Sequence, residues 1–259
     1  MDGLEQIVRW LHIFFGVIWI GLLYFFNFVN GPFAATMDGE TKKKVVPELM
    51  PRALYWFRWG AAWTWLTGIT LLMLVFYCSS NLFESGYGWT PISMALVAVV
   101  FLAFLVYDAI FKSPIGKDLR VGAAVGFVLV AAVLFAMEHL AGFSYRAYVI
   151  HIGVMFGTIM AANVWFRIWP AQQKIIAAVK AGTPPDAAVV ALAGARSRHN
   201  TYLSVPLLWA MINAHTSAFS GGNFGIPDGF GFVSMLVFTL IGWGIVNVCY
   251  KRAAQVKGF

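Results

Sequence analysis

Long apolar runs separated by short polar connections dominate the chain. Runs long enough to cross about 30 Å of hydrocarbon, roughly 20 residues each, fall at about 6–30, 54–78, 89–111, 120–142, 145–169, 200–219 and 230–250. The sixth is the least regular, because Pro206, Asn213 and His215 interrupt it. This pattern predicts an all-α integral membrane protein, a bundle of about seven transmembrane helices forming a single membrane domain over 1–259.

Two connections are long enough to carry structure of their own. Residues 31–53 read as a cytoplasmic loop with one short helix, punctuated by Pro47 and Pro51. Residues 171–198 read as an amphipathic cytoplasmic helix, broken at 182–186 and resumed through 187–195. On the other side the connections 79–88, 143–144 and 220–229 are short and turn-rich.

Composition supports the membrane reading: 60% of residues are hydrophobic and only 11% are charged, where a soluble domain has about a quarter charged. Lysine and arginine set the orientation. Sixteen of the 18 basic residues fall on one side, in the two long connections, around 112–120, in the tail, and at the adjoining span ends as Arg58 and Arg167, and only Arg9 and Arg146 fall on the other. The N-terminus is therefore expected outside and the C-terminus in the cytoplasm, in a multi-pass membrane protein. The net charge of +7 then belongs to a basic face against anionic lipid, not to a nucleic-acid partner.

The acidic start, with Asp2 and Glu5, predicts no cleavable signal, so the first span stays in place. Cys78 and Cys249 fall at opposite faces in this topology, which excludes a bridge between them. No Cys-x-x-Cys-His motif is present, which excludes covalently attached haem of that type.

The histidines carry the candidate chemistry. At 1.5 Å per residue, His12, His139, His151 and His215 all fall roughly 6–9 Å below the outer hydrocarbon boundary. A lone intramembrane histidine is commonly just hydrogen-bonded between helices. Four at one level suit haem b, one or two copies, with these residues as candidate ligands of the haem iron. Glu138 beside His139 could orient a histidine, take a proton or reach the surface. The tryptophans suit an interfacial belt, and the methionines suit packing.

A second polar group is expected at the inner boundary, where Asp108, Arg167, Arg196, Arg198 and His199 gather. Two readings apply to it: positive-inside anchoring, or an anion site for a small planar substrate in which arginine supplies paired donors. His199 and His215 are 16 residues apart, about 24 Å along a helix, so one ligand cannot bind both.

Certain stretches resemble a known family. Arg9-Trp10-Leu11-His12 with Gly16 and Trp19-Ile20-Gly21, then Trp63-Thr64-Trp65-Leu66-Thr67-Gly68, look like the N-terminal membrane domain of bacterial membrane-bound urate oxidase (urate hydroxylase). So do His151-Ile152-Gly153-Val154-Met155 with Gly157 to Asn163, and the stretch Arg196 to Pro206 ending in Asn213-Ala214-His215. His139 lies outside these stretches. The resemblance implies a membrane domain of seven or eight helices that oxidises urate and passes electrons to cytochrome c. In the relatives a cytochrome c domain follows, and this chain is expected to use a separate one instead.

Two functional classes follow. One is a redox protein that binds haem b through the outer histidines, exchanges electrons with an extracytoplasmic cytochrome c and oxidises urate or a related small substrate. The other is a non-catalytic subunit of a larger respiratory or photosynthetic complex, or a small transporter. Self-assembly and hetero-complex formation are both compatible with the sequence.

Overall fold

A computed structural model describes residues 2–256 of the chain. Its helices are α1 (Asp2–Tyr24), α2 (Gly31–Thr36), α3 (Gly39–Leu72), α4 (Pro91–Lys112), α5 (Leu119–His139), α6 (Tyr145–Asn163), α7 (Trp169–Lys180), α8 (Ala187–Asn213) and α9 (Gly231–Ala253). Among the described residues the one bridge of strand type joins Phe83 and Phe143. Both cysteines are free thiols.

Six helical stretches are long and apolar enough to cross a membrane: Gly3–Thr36, Gly39–Tyr77, Pro91–Lys112, Leu119–His139, Tyr145–Lys180 and Gly231–Ala253. They correspond to six of the seven expected spans. The stretch beginning at Tyr145 is the most enclosed, with 72% of its most apolar window buried, against 11% for the first.

The sixth expected span, 200–219, is displaced. Helix α8 starts at Ala187, where Asp186 Oδ1 accepts from the Ala188 amide at 2.8 Å, and stops at Asn213, before a run of turns. The resumed half of the amphipathic segment, from Ala187, and the start of the span are thus one 27-residue helix, while its first half is the separate helix α7. Its apolar character is diluted by the Arg196–Asn200 stretch, which is why hydropathy alone misplaced it.

The expected loop at 31–53 is mostly helix. Asp38 opens α3 by accepting from the Thr41 amide and hydroxyl at 2.9 and 2.7 Å, a favourable N-terminal arrangement. Lys43 pairs with Glu40 and Arg52 with Glu48, each across one turn. Pro47 and Pro51 sit inside the helix. Each removes one backbone bond, and at the polar end of the helix water can take the freed carbonyls.

Three wider π turns interrupt the spans, at Phe25–Asn30, Met73–Tyr77 and Val164–Ile168. Such turns are rare and tend to occur at functional positions.

By contacts the chain forms two compact units. The first comprises Ile69–Ile159 and Val205–Gly242; the second comprises Asp2–Gly68, Met160–Ser204 and Trp243–Phe259. In the first, small residues let helices close: a Cβ at Gly153 would stand 3.0 Å from that of Ala210, and one at Gly242 would stand 2.9 Å from the Pro206 ring. In the second, a Cβ at Gly60 would stand 3.3 Å from the Trp19 backbone nitrogen, so α1 and α3 meet almost backbone to backbone.

Candidate functional site

In the second unit, His12 of α1 is held by α3. Its Nδ1 lies 3.0 Å from the Thr64 carbonyl oxygen and 3.1 Å from Thr67 Oγ1. A carbonyl can only accept, so Nδ1 carries the proton. Thr67 donates its own hydroxyl to the Trp63 carbonyl at 2.6 Å, which leaves its oxygen to accept. The tautomer is thereby fixed, and Nε2 keeps its lone pair with no donor on it among the described residues. That is the arrangement a metal-ligating histidine requires.

Gly68 completes the seat, since a Cβ there would stand 3.0 Å from His12 Cε1. Thr64, Thr67 and Gly68 were legible as a motif, and only the structure shows that they surround His12.

The same unit contains a buried polar hub on α8. Asn163 Nδ2 donates to Asn200 Oδ1 at 2.9 Å, and Asn200 Nδ2 donates to the Met160 carbonyl at 2.9 Å. Ser204 gives its proton to the Thr201 carbonyl and accepts from the Tyr24 hydroxyl at 2.9 Å. Asn27, in the first π turn, donates to Ser197 Oγ and accepts from Tyr250. The polar residues of α8 therefore bond to α1, to α6 and to the first π turn, which in turn accepts from α9.

Arg196 is 2% exposed within this hub, and His199 is half-buried. Arg198 is exposed, its guanidinium 4.8 Å from the Tyr250 ring centre. Of the proposed anion-site residues in this unit, Arg198 is the one open to a ligand from outside the protein.

The first unit holds the remaining candidates. His151 is fully buried: its Nδ1–H donates to the Ala147 carbonyl at 2.6 Å and its Nε2 accepts from the Tyr77 hydroxyl at 2.9 Å. With both nitrogens engaged it does not fit an axial haem ligand in this arrangement. His139 is exposed and lies against Phe135, ring centres 4.5 Å apart. His215 is exposed just beyond α8. Asp108 is buried and paired with Lys112 at 2.7 Å.

Glu138 has a structural partner. Its Oε2 accepts from the Phe232 amide at 3.2 Å, capping α9, and Tyr148 donates to its Oε1 at 3.4 Å. Nearby, Asn213 donates to the Tyr145 hydroxyl, which donates to Ser234. Among the described residues, no three His, Cys, Asp or Glu side chains gather closely enough to hold a metal ion by themselves. A haem iron needs only one or two protein ligands, and His12 fits that role.

No curated protein and no solved structure matches the chain. A family model described as urate oxidase N-terminal matches residues 37–245. The match takes in α3 to α8, most of α9 and every histidine except His12. Since it covers most of this helical, apolar chain, the protein belongs to the urate oxidase N-terminal family.

Proposed function

We propose that the chain is a membrane redox domain that binds haem b with His12 as an axial ligand. It takes electrons from a small planar anion such as urate and passes them to a cytochrome c. The observation that carries this reading is the fixed tautomer of His12, with Nδ1–H held by Thr64 and Thr67 and Nε2 left as a lone pair.

Haem b, when bound, supplies reversible one-electron chemistry at iron. The chain's own residues do the positioning. Thr64 and Thr67 hold the ring of His12 at one nitrogen, and Gly68 leaves room for it. Arg198, exposed beside Tyr250, gives an incoming anion its first contact, while Arg196, His199 and Asp108 are too enclosed to meet it first. The count of basic residues orients the N-terminus outward in a bacterial inner membrane.

Purification in mild detergent followed by a pyridine haemochrome assay tests the reading. Wild type is expected to show a Soret band that urate reduces and quinol does not, and His12→Ala is expected to lose or shift it. A colourless wild-type protein would overturn the redox reading. It would favour a non-catalytic subunit or small transporter, a reading supported by how much of α8 is committed to bonds between helices.

A further inference from the structure

Arg58 is a cation without an acid. It is half-buried in the apolar part of α3, forms none of the ion pairs found among the described residues, and its Nε is sealed from solvent with no hydrogen-bond acceptor. What holds it is aromatic. Its Cζ lies 4.0 Å from the ring centre of Trp169, 5.7 Å from that of Tyr55 and 6.0 Å from that of Trp165. Trp165 also donates its indole N–H to the Arg58 carbonyl at 3.2 Å. Ring faces attract a cation but leave its charge uncompensated, and such a charge on the basic side of the bundle attracts an anionic headgroup.

A groove runs beside this box, lined by Phe15 and Ile18 of α1 and by Tyr55, Trp56, Trp59 and Trp63 of α3. Tyr55 and Trp59 belong to both features: Tyr55 faces the guanidinium, and Trp59 meets Trp165 edge-on with ring centres 5.4 Å apart. The four groove aromatics of α3 are 39–56% exposed. Arg58 does not itself line the groove but lies behind Tyr55, its Cζ 5.7 Å from that ring; an apolar channel beside a cation complements a molecule with one anionic head and an apolar tail.

We propose that the α1–α3 groove binds one anionic phospholipid, its phosphate on Arg58 and an acyl chain along Trp56, Trp59 and Trp63. The inference does not depend on haem. It uses a residue that the redox reading leaves without a role, and it explains why these four aromatics line a groove instead of packing inward.

The test titrates the full chain in detergent with phosphatidylglycerol or phosphatidylcholine carrying brominated acyl chains, which quench indole fluorescence on contact. Wild type is expected to favour phosphatidylglycerol roughly fivefold, the worth of one basic residue facing an anionic headgroup. Arg58→Gln should lose that preference. Arg52→Gln should keep it, because Arg52 is exposed and already paired with Glu48. Equal quenching by the two lipids in wild type would overturn the proposal, whether or not the Arg58 variant folds. Abolition of the quenching by inorganic phosphate alone would point to a free-anion site and would overturn it too.

Discussion

The ring of His12 occupies the space that a side chain at Gly68 would need: a Cβ at that position would lie 3.0 Å from Cε1 and 3.4 Å from Nδ1. Two helices thus meet through an imidazole on one and a missing methyl on the other. Position 68 controls where the ring stands, and Thr64 and Thr67 control which nitrogen carries the proton.

Gly68→Ala is therefore expected to push the ring from its seat and to lower stability by about 1–3 kcal/mol, the usual range for overpacking. Thermal unfolding in detergent reads the loss. If His12 also ligates haem, the same substitution shifts the absorption maximum, while Thr67→Ser, which keeps the hydroxyl, leaves it in place. An Ala variant as stable as wild type would show that the ring does not rest there.

The Asn163–Asn200 pair makes a separate prediction. Asn200→Ala removes the acceptor of one buried bond and the donor of another. Hydrogen bonds between membrane helices average about 0.6 kcal/mol and reach about 1.7, so the variant should lose about 1–2 kcal/mol. A double-mutant cycle with Asn163→Ala, followed by unfolding in mixed micelles, should return a coupling near the lower figure. Additive losses would mean that the two amides do not interact.

Tyr77→Phe removes the donor that satisfies Nε2 of the buried His151. Stranding a buried acceptor costs about 1–3 kcal/mol, so this deletion of one oxygen should destabilise the protein by that amount in the same assay. The variant also frees Nε2. A new haem absorption band in Tyr77→Phe alone would show that His151 can ligate iron once its partner is gone.

At the start of α3, the backbone and side-chain donors of Thr41 hold the Asp38 carboxyl below the ordinary carboxylate range. A depressed folded-state value stabilises the charged form. The cap is thus fully present at neutral pH and is lost as pH falls through that lowered value. Amide exchange at Thr41, compared with Asp38→Ala at each pH, should show protection at pH 7 that fades in acid. A constant difference across the range would rule out the charged cap.

Sequence pattern located six spans, those at 89–111, 120–142 and 230–250 to within a few residues at both ends, while the first, second and fifth helical stretches run further than the apolar run predicts. It failed at two places for physical reasons. Pro47 and Pro51 read as breaks, yet a helix end facing water tolerates the carbonyls they free. Arg196 to Asn200 read as the polar start of a span, yet these residues lie midway along α8, where other helices satisfy several of them.

The site was legible as residue types but not as partners. His12 was singled out by its depth, and nothing in one sequence pairs it with Thr64. By depth alone His151 is equivalent, and the difference lies in Tyr77, an aromatic at a span end with no pattern to mark it. Glu138 was read through its neighbour His139, whereas the structure gives it to the amide of Phe232, a tertiary contact that no local spacing encodes.

The π turn at Met73–Tyr77 holds one residue more than an α-helix of the same rise would contain, and an extra residue turns everything beyond it by about 100°. Tyr77 meets His151 because of that surplus. Deleting one residue between 73 and 76 would leave an unbroken α-helix of equal hydrophobicity whose last tyrosine points away from the imidazole. The contact is thus an address written in chain length as well as in residue type.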